Sequence, residues 1–341
     1  MNAPLPKPTD PAERIEAALA ELLQVDDEPA DARWDAAMEQ VREYVLRPGK
    51  RVRPALVVTG WSLVRPGEPV PSGVYEFAAS LELLHAFMLV HDDVADRAET
   101  RRGGKALHHL LGSPGESLAV VAGDHLFARA IEGMLSCGLA RAADATRYML
   151  AVSRHTAIGQ FLDLQLAETP VEEVTLFQTL RVAHLKTARY GFVAPLVCGA
   201  MLGGADEAVL DALSRVGRHT GLAFQLRDDL LGLFGDPAVT GKSGVADYLE
   251  GKRTFPLVAA FTRAHANGRA HLASLWTRAP KTAQDCREAR AALELYGGRR
   301  ATERAIERSE KAAQKALESL PATPARTVLA AMLHKLSRRA A

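Results

Sequence analysis

The stretch SLELLHAFMLVHDDVADRAETRRGGK, residues 80–105, decides how the chain is read. Together with Phe77, its apolar residues Leu81, Leu84 and Met88 recur at spacings of three and four, the mark of a helix laid against a core. On an ideal helix His85, Asp92 and Asp96 fall within about 40° of one another, a polar stripe beside that core-facing side. Carboxylates are seldom buried unpaired, because desolvating them costs several kcal/mol unless a cation or donor compensates. Two carboxylates a turn apart suit a hard divalent cation such as Mg²⁺, which completes its octahedron with waters and phosphate oxygens. Arg101 and Arg102 follow directly as anion donors. An exposed acidic helix end explains the same residues equally well when this stretch is taken alone.

A second stretch tips the balance. In GLAFQLRDDLLGLFGDPAVTGK, residues 221–242, Asp228 and Asp229 again interrupt an apolar helix, with Gln225 one turn earlier. Phe224, Leu226, Leu230, Leu231 and Phe234 surround the pair, which a wholly solvated helix does not explain. Two helices that each turn acids inward toward one another build a metal site in a bundle core, and that facing geometry is the expectation.

The rest of the chain is consistent with this reading. Helical spacings recur from Ala12 to Ala340 and period-two alternation is almost absent, so the expected fold is all-α: a single large helical bundle around a deep central cavity. Glycine and proline clusters at 47–54, 64–73, 101–105, 111–117, 168–173, 235–244 and 278–282 divide it into roughly ten or eleven helices. No linker marks a domain boundary, so residues 1–11 read as a flexible tail and 12–341 as one domain. At 341 residues, with 48% hydrophobic and 24% charged residues, the chain buries a sizeable core and is not disordered. Its net charge of +1 gives no general attraction for nucleic acid. The longest uncharged apolar run, Tyr190–Ala205, is too short to span a bilayer and holds Pro195. The proline-rich N-terminus lacks the apolar region of a signal peptide, and Cys137, Cys198 and Cys286 lack metal-ligand spacing and read as buried thiols, so a cytoplasmic protein is expected.

Basic residues collect at junctions: Lys50, Arg51 and Arg53 in GKRVRP, Lys186 with Thr187 in HLKTARY, Lys242 in TGKS, and Lys252 with Arg253 in EGKRT. Acid pairs in helices and cations at junctions together suit a diphosphate bridged through metal and direct donors. The segment GDPAVTGKS is not a phosphate-binding P-loop, because five residues separate Gly235 from Gly241 where four are required and a helix precedes it.

In these residues the chain resembles the trans-isoprenyl diphosphate synthases, the polyprenyl synthetase family. GKRVRP is similar to its GKRxRP, HDDVADRAETRRG to its first aspartate-rich motif, LKT to its lysine-threonine pair, and FQLRDDLLGLFGDPAVTGK to its second aspartate-rich motif. The resemblance implies a dimeric, Mg²⁺-dependent enzyme, with Mn²⁺ as a substitute, that elongates an allylic diphosphate with isopentenyl diphosphate. By that similarity Asp92 and Asp96 hold two ions and Asp228 a third, and these acids with Lys186 are the catalytic residues. Arg101, Lys186, Thr187, Gln225, Lys242 and Lys252 would contact the allylic diphosphate; Lys50, Arg53, His85 and Arg102 would bind isopentenyl diphosphate.

Three departures stand out. Gly232 takes the place of a frequent third aspartate, which predicts weaker support for the third ion with activity retained. GGKALH replaces GxPT(V/S)H, and KSGVAD shifts the glycine of KPxGxD while Asp247 keeps its place. Product length in the family depends on bulk four or five residues before the first aspartate, here Met88 and Phe87. One aromatic in place of two points to geranylgeranyl diphosphate (C20), with farnesyl or longer products as alternatives. An ideal helix turns Phe87 about 140° from Asp92, so a bend or a neighbour must bring it into the pocket. A class I terpene cyclase would not need GKRVRP and His85, and a non-catalytic partner subunit would show eroded aspartates.

Overall fold

The computed structural model describes residues 10–24, 31–235, 246–279 and 281–337. Strand pairing among these residues is confined to a ribbon of β1 (Thr100–Arg101) against β2 (Gly104–Lys105), and helices make up nearly all the rest. The all-α expectation holds. Two compact units are formed, one by Met1–Tyr148 with Pro195–Asp206 and one by Met149–Ala194 with Glu207–Ala341.

The first unit contains α1 (Pro11–Leu22), α2 (Ala32–Leu46), α3 (Val52–Val64), α4 (Ser72–Ala95), α5 (Leu107–Leu110) and α6 (Gly115–Ser136). Each long helix starts and stops where side-chain chemistry dictates. Asp10 and Asp31 cap α1 and α2 by accepting from Ala12 N and Arg33 N, and Pro48 and Pro66 follow the ends of α2 and α3. Helix α4 is the centre of the unit and packs most extensively on α6. Phe77, Leu81 and Leu84 are fully buried there. By length and composition α4 is apolar enough to cross a membrane, yet 72% of its apolar window is buried inside the protein, so its greasiness serves a core. Gly123 on α6 makes the approach possible: a Cβ there would lie 2.5 Å from Nε2 of His91 on α4.

Helix α7 (Ala142–Glu168) leads into the second unit, followed there by α8 (Leu176–Val182) and a π-helical segment (Ala183–Val193), and from Pro195 on α9 (Ala194–Leu202) belongs to the first unit. Then come α10 (Glu207–Phe234), α11 (Ala246–Leu249), α12 (Phe255–Arg263), α13 (Ala266–Thr277), α14 (Ala283–Leu295), α15 (Gly298–Glu318) and α16 (Pro324–Ser337). More helices occur than the glycine and proline clusters predict, because several breaks need neither cluster. Between α12 and α13, for example, His265 caps the new helix through Nδ1, which accepts from Gly268 N. Helices α14 and α8 each begin with a reciprocal capping box, built on Thr282 with Asp285 and on Thr175 with Gln178.

Helix α10 packs on both α15 and the π segment. The second contact depends on missing side chains. A Cβ at Gly217 would lie 2.8 Å from Cα of Val193, and one at Gly221, a turn later, would strike Ala188. The run Tyr190–Ala205 is nearly all buried, as a core segment should be. Cys137 and Cys198 are buried thiols as expected, whereas Cys286 is partly exposed.

Candidate active site

The first acidic motif closes α4, with Asp96 as its C-cap. Asp92 is half-buried and Asp96 exposed, while Asp93 between them is 1% exposed. Asp93 accepts from Tyr44 Oη at 2.9 Å and from Arg101 Nε at 2.7 Å, and Nη2 of Arg101 also donates to it. Arg101, expected on substrate, thus clamps the middle aspartate. Burial opposes the charge on Arg101, and Asp93 outweighs it, so the guanidinium pKa is raised. This arrangement leaves Asp92 and Asp96 as the outward acids of the motif. Sequence reasoning missed Asp93 and Tyr44; the signal was the odd acid of the pair, which falls off the stripe of Asp92 and Asp96.

Beside it lies a cluster of cations. Buried Glu82, 2% exposed, accepts through Oε1 from Arg51 Nη1 at 2.7 Å and Arg102 Nη2 at 2.9 Å. Arg51 also donates to Glu16 at 2.8 Å and to the carbonyls of Val45 and Arg47. Both arginines have left-handed backbone, φ 41° at Arg51 and φ 51° at Arg102, a conformation that costs a non-glycine residue on the order of 1–3 kcal/mol and persists where the surroundings fix it. Arg47 donates from Nη1 to the carbonyls of Arg101 and Lys105. It pins the ribbon and fills the space over Gly104, where a Cβ would meet its guanidinium at 2.5 Å.

His85 sits in the field of this cluster. Burial, then Arg53, Arg102, Arg101 and Arg51, hold its pKa well below the ordinary histidine value, so the imidazole is neutral and the positive charge belongs to the arginines. Arg53, His85 and Arg102, all expected at one diphosphate, are brought together. Lys50 is exposed on the adjoining loop, whose Gly49 lies against Arg102.

The second unit holds the other predicted residues. Asp163 of α7 accepts from Lys186 Nζ at 2.8 Å. Gly159, a turn earlier, lets the π segment approach, since a Cβ there would lie 2.6 Å from Lys186 N. Thr187 Oγ1 donates to Gln225 Oε1 at 2.5 Å, and Gln225 Nε2 donates to Asp229 Oδ1 at 2.8 Å. Asp228 is exposed, whereas Asp229 is buried. Burial, then Asp247, raise Asp229 well above the usual carboxylate range. Asp247 is pushed up to about 7 by burial, with Lys252 opposing and Asp228 adding to the shift. Lys252 lies 2.5 Å from Glu250 and 4.0 Å from Asp247. Lys242 and the GDPAVTGKS segment after Gly235 lie outside the described residues. Asp163 escaped sequence reasoning although it is an acid in an otherwise apolar turn, FLDL, of a long helix.

Phe87 turns toward α6. Its ring lies 4.6 Å from that of His91 and 5.2 Å from that of Phe127. Both Phe87 and Met88 are half-buried.

Among the described residues no three His, Cys, Asp or Glu side chains converge to hold a metal by themselves. Half-buried Asp92 and exposed Asp96 in the first unit, and, separately, exposed Asp228 in the second, are nonetheless the kind of carboxylates that fit Mg²⁺, which uses one or two of them plus substrate phosphates in place of a protein cage.

Residues 35–293 match the sequence profile of the polyprenyl synthetase family. The chain belongs to the polyprenyl synthetase family. A (2E,6E)-farnesyl diphosphate synthase from Mycobacterium tuberculosis is 36% identical over 257 residues, 74% of this chain and 68% of that protein. A geranylgeranyl diphosphate synthase from the same organism is 37% identical over 252 residues, 72% and 69% of the two chains. Among solved structures, the geranylgeranyl pyrophosphate synthase from Corynebacterium glutamicum complexed with isoprenyl diphosphate and magnesium superposes with a TM-score of 0.85 at 28% identity, covering 97% of this chain and 99% of that one. Both acid-and-cation clusters of this polyprenyl synthetase, except for Glu16, fall inside the matched residues.

Proposed function

We propose that the protein is a trans-prenyltransferase that condenses isopentenyl diphosphate with an allylic diphosphate to give a short-chain all-trans product, geranylgeranyl diphosphate foremost. The observation that carries this is the cation cluster around neutral His85, adjacent to the first acidic motif. A terpene cyclase, which ionises one diphosphate only, has no use for a second anion site. Arg53, Arg102, His85 and Lys50 are assigned to isopentenyl diphosphate. Lys186, Thr187, Gln225, Lys242 and Lys252, with Arg101 through Asp93, are assigned to the allylic diphosphate.

Asp92, Asp96 and Asp228 are the proposed Mg²⁺ ligands, with Mn²⁺ as a substitute, and the bound ions supply charge neutralisation on the departing diphosphate. Lys186 and Lys252 add fixed positive charge where negative charge develops as the allylic C–O bond breaks. Asp163 holds Lys186 in place, and Thr187 and Gln225 fix each other's geometry. The homoallylic alkene forms the new C–C bond with the allylic cation, and loss of a proton to the released diphosphate restores an alkene. Apolar walls exclude water that would otherwise capture the cation.

The reading extends to residues 12–341 working as one catalytic domain, to a cytoplasmic enzyme, and to a homodimer. The outer face of α6 supports the dimer: Leu118, Val121 and Leu135 are 40%, 56% and 52% exposed at helical spacing. Light scattering that gives a monomer would remove it. Incubation of purified protein with Mg²⁺, isopentenyl diphosphate and farnesyl diphosphate tests the reaction. Geranylgeranyl diphosphate is expected; a hydrocarbon formed without isopentenyl diphosphate, or no turnover with any allylic primer, overturns the assignment.

A further inference from the structure

The ribbon that carries Arg101 and Arg102 is too small to hold itself. β1 and β2 pair over two residues each, Thr100 with Lys105 and Arg101 with Gly104, and even a longer two-stranded hairpin is marginal in water. A tight two-residue turn of this hand requires positive φ at both central positions. Arg102 takes the first at 51° and Gly103 the second at 77°, so an arginine sits in backbone that favours glycine. The hold comes from α2. Arg47 Nη1 reaches both strands, donating to the carbonyls of Arg101 at 2.9 Å and Lys105 at 2.8 Å. The rest of the guanidinium donates to Glu43, from Nε at 3.0 Å and from Nη2 at 2.8 Å, and its Cζ lies 5.2 Å from the centre of the Tyr44 ring. Arg47 is 8% exposed while the Glu43 side chain is 55% exposed, so this buried cation depends on the two carbonyls as well as on its counter-ion. Gly104 makes room for it: a Cβ there would lie 2.5 Å from Cζ of Arg47 and 2.8 Å from both terminal nitrogens.

We propose that Arg47 is a positioning residue for the anion site: it fixes the turn from which Arg102 reaches Glu82 and the diphosphate, and residue 104 is glycine so that the guanidinium can lie against the ribbon. The inference rests on the assignment of Arg53, His85 and Arg102 to isopentenyl diphosphate. One turn of α2 then governs both arginines of the ribbon. Tyr44 Oη donates to the Asp93 that clamps the Arg101 side chain, and Arg47 holds the Arg101 carbonyl next to the turn. Without Arg47 the ribbon loses the bonds that cross from both strands to α2, and Arg102 spreads over many orientations of which few match the ligand. Such a loss of preorganisation weakens binding and leaves the groups that meet the reacting atoms untouched.

The test compares wild type, Arg47→Ala, Arg47→Lys, Gly104→Ala and the double variant Arg47→Ala with Gly104→Ala. One readout is the Kd for inorganic pyrophosphate by calorimetry without Mg²⁺, where the acidic motifs repel the ligand and the cation cluster is left to bind it. The other is the KM for isopentenyl diphosphate set against kcat. Arg47→Ala should raise both Kd and KM about tenfold or more, the worth of one hydrogen bond to a charged group on the ligand, with kcat at saturation changed less. Arg47→Lys, a point charge in place of a fork, should recover part of that loss. Gly104→Ala keeps every atom of Arg47 and displaces it, so it should weaken binding as Arg47→Ala does, and the double variant should bind no more weakly than Arg47→Ala alone. A wild type that fails to bind pyrophosphate overturns the proposal. So does an Arg47→Ala protein whose Kd and KM stay at wild-type values whatever its melting temperature, because Arg47 is then structural only; if that protein does not fold, the same result in Arg47→Lys and Gly104→Ala decides. Losses that multiply in the double variant would show Gly104 acting apart from Arg47 and would overturn the shared role. If these binding results hold while wild type transfers no prenyl group, the proposed reaction fails and the clamp stands.

Discussion

Replacement of Glu82 tests whether the arginine cluster is organised by a buried acid. One oxygen, Oε1, accepts from both Arg51 and Arg102 at 2.7 and 2.9 Å, and the side chain is almost wholly out of water. Glu82→Gln keeps an acceptor of the same shape and removes the charge. Both bonds are still donated by charged guanidiniums, so what Glu82→Gln removes is the counter-charge of a buried pair, and the loss should fall below the range of about 3–5 kcal/mol for stranding a buried ion outright. Glu82→Ala removes the acceptor as well. Stranding a buried ion costs about 3–5 kcal/mol, and because Arg51 retains Glu16 and two carbonyls, the lower half of that range applies. Urea unfolding of the apo-protein followed by circular dichroism should order the proteins wild type, Glu82→Gln, Glu82→Ala. Steady-state kinetics supplies the functional arm. The KM for isopentenyl diphosphate should rise about tenfold or more in Glu82→Ala, from loss of roughly one hydrogen bond to a charged group, with kcat at saturation changed less. Two variants that unfold within about 0.5 kcal/mol of wild type, the range of an ordinary surface substitution, with unchanged KM, would refute the reasoning.

Asp92→Ala is expected to abolish turnover, and wild-type rates in that variant would dismiss its metal role. Phe87→Ala should lengthen products, because it opens the space the ring fills against His91 and Phe127; chromatography of the released alcohols reads the distribution, and no change would acquit this residue. Asp247 gives a pH dependence of defined sign. Its folded pKa of about 7 lies above the ordinary carboxylate value, so the fold holds a proton that the unfolded chain releases. Its contribution to stability is full below about pH 4 and is lost as pH rises through about 7. The apo-protein should therefore lose stability over that interval more steeply than Asp247→Asn, and parallel pH profiles of melting temperature would show that the shift is absent.

Much of this molecule could be read from the chain before its structure was described. Helical periodicity announced the all-α fold, and the acid pairs, GKRVRP and LKT announced the family. What escaped detection depends on distance along the chain. The prohibition on unpaired buried carboxylates correctly demanded a cation beside the first motif, where Asp93 meets Arg101; in the second, buried Asp229 meets neutral Gln225 and its pKa is raised. For Asp93 the partners are Tyr44, 49 residues away, and Arg101, and its place off the stripe of Asp92 and Asp96 marks it as different without naming either partner. Glu82 reads as one acid on an apolar helix until Arg51 and Arg102 arrive from two loops. Asp163 and Lys186 meet because glycine at 159 lets two helices approach, a fact of packing that no spacing rule contains. Helix number was underestimated because caps such as His265 end and restart helices without glycine or proline.

Lys186 and Thr187 belong to a stretch wound more loosely than its neighbours, Ala183–Val193. Such a turn is an α-helix carrying a surplus residue, and the surplus sets the angle at which both side chains leave the axis. Removing a single residue downstream of Thr187 in this stretch would let it relax toward ordinary winding and turn Lys186 and Thr187 away from Asp163 and Gln225, while what lies beyond keeps close to its phase. Point substitutions on the outer surface would leave that phase alone. The chain can vary there in outward-facing composition more freely than in length, and the Lys186–Asp163 and Thr187–Gln225 contacts are set by the number of residues as much as by their kind.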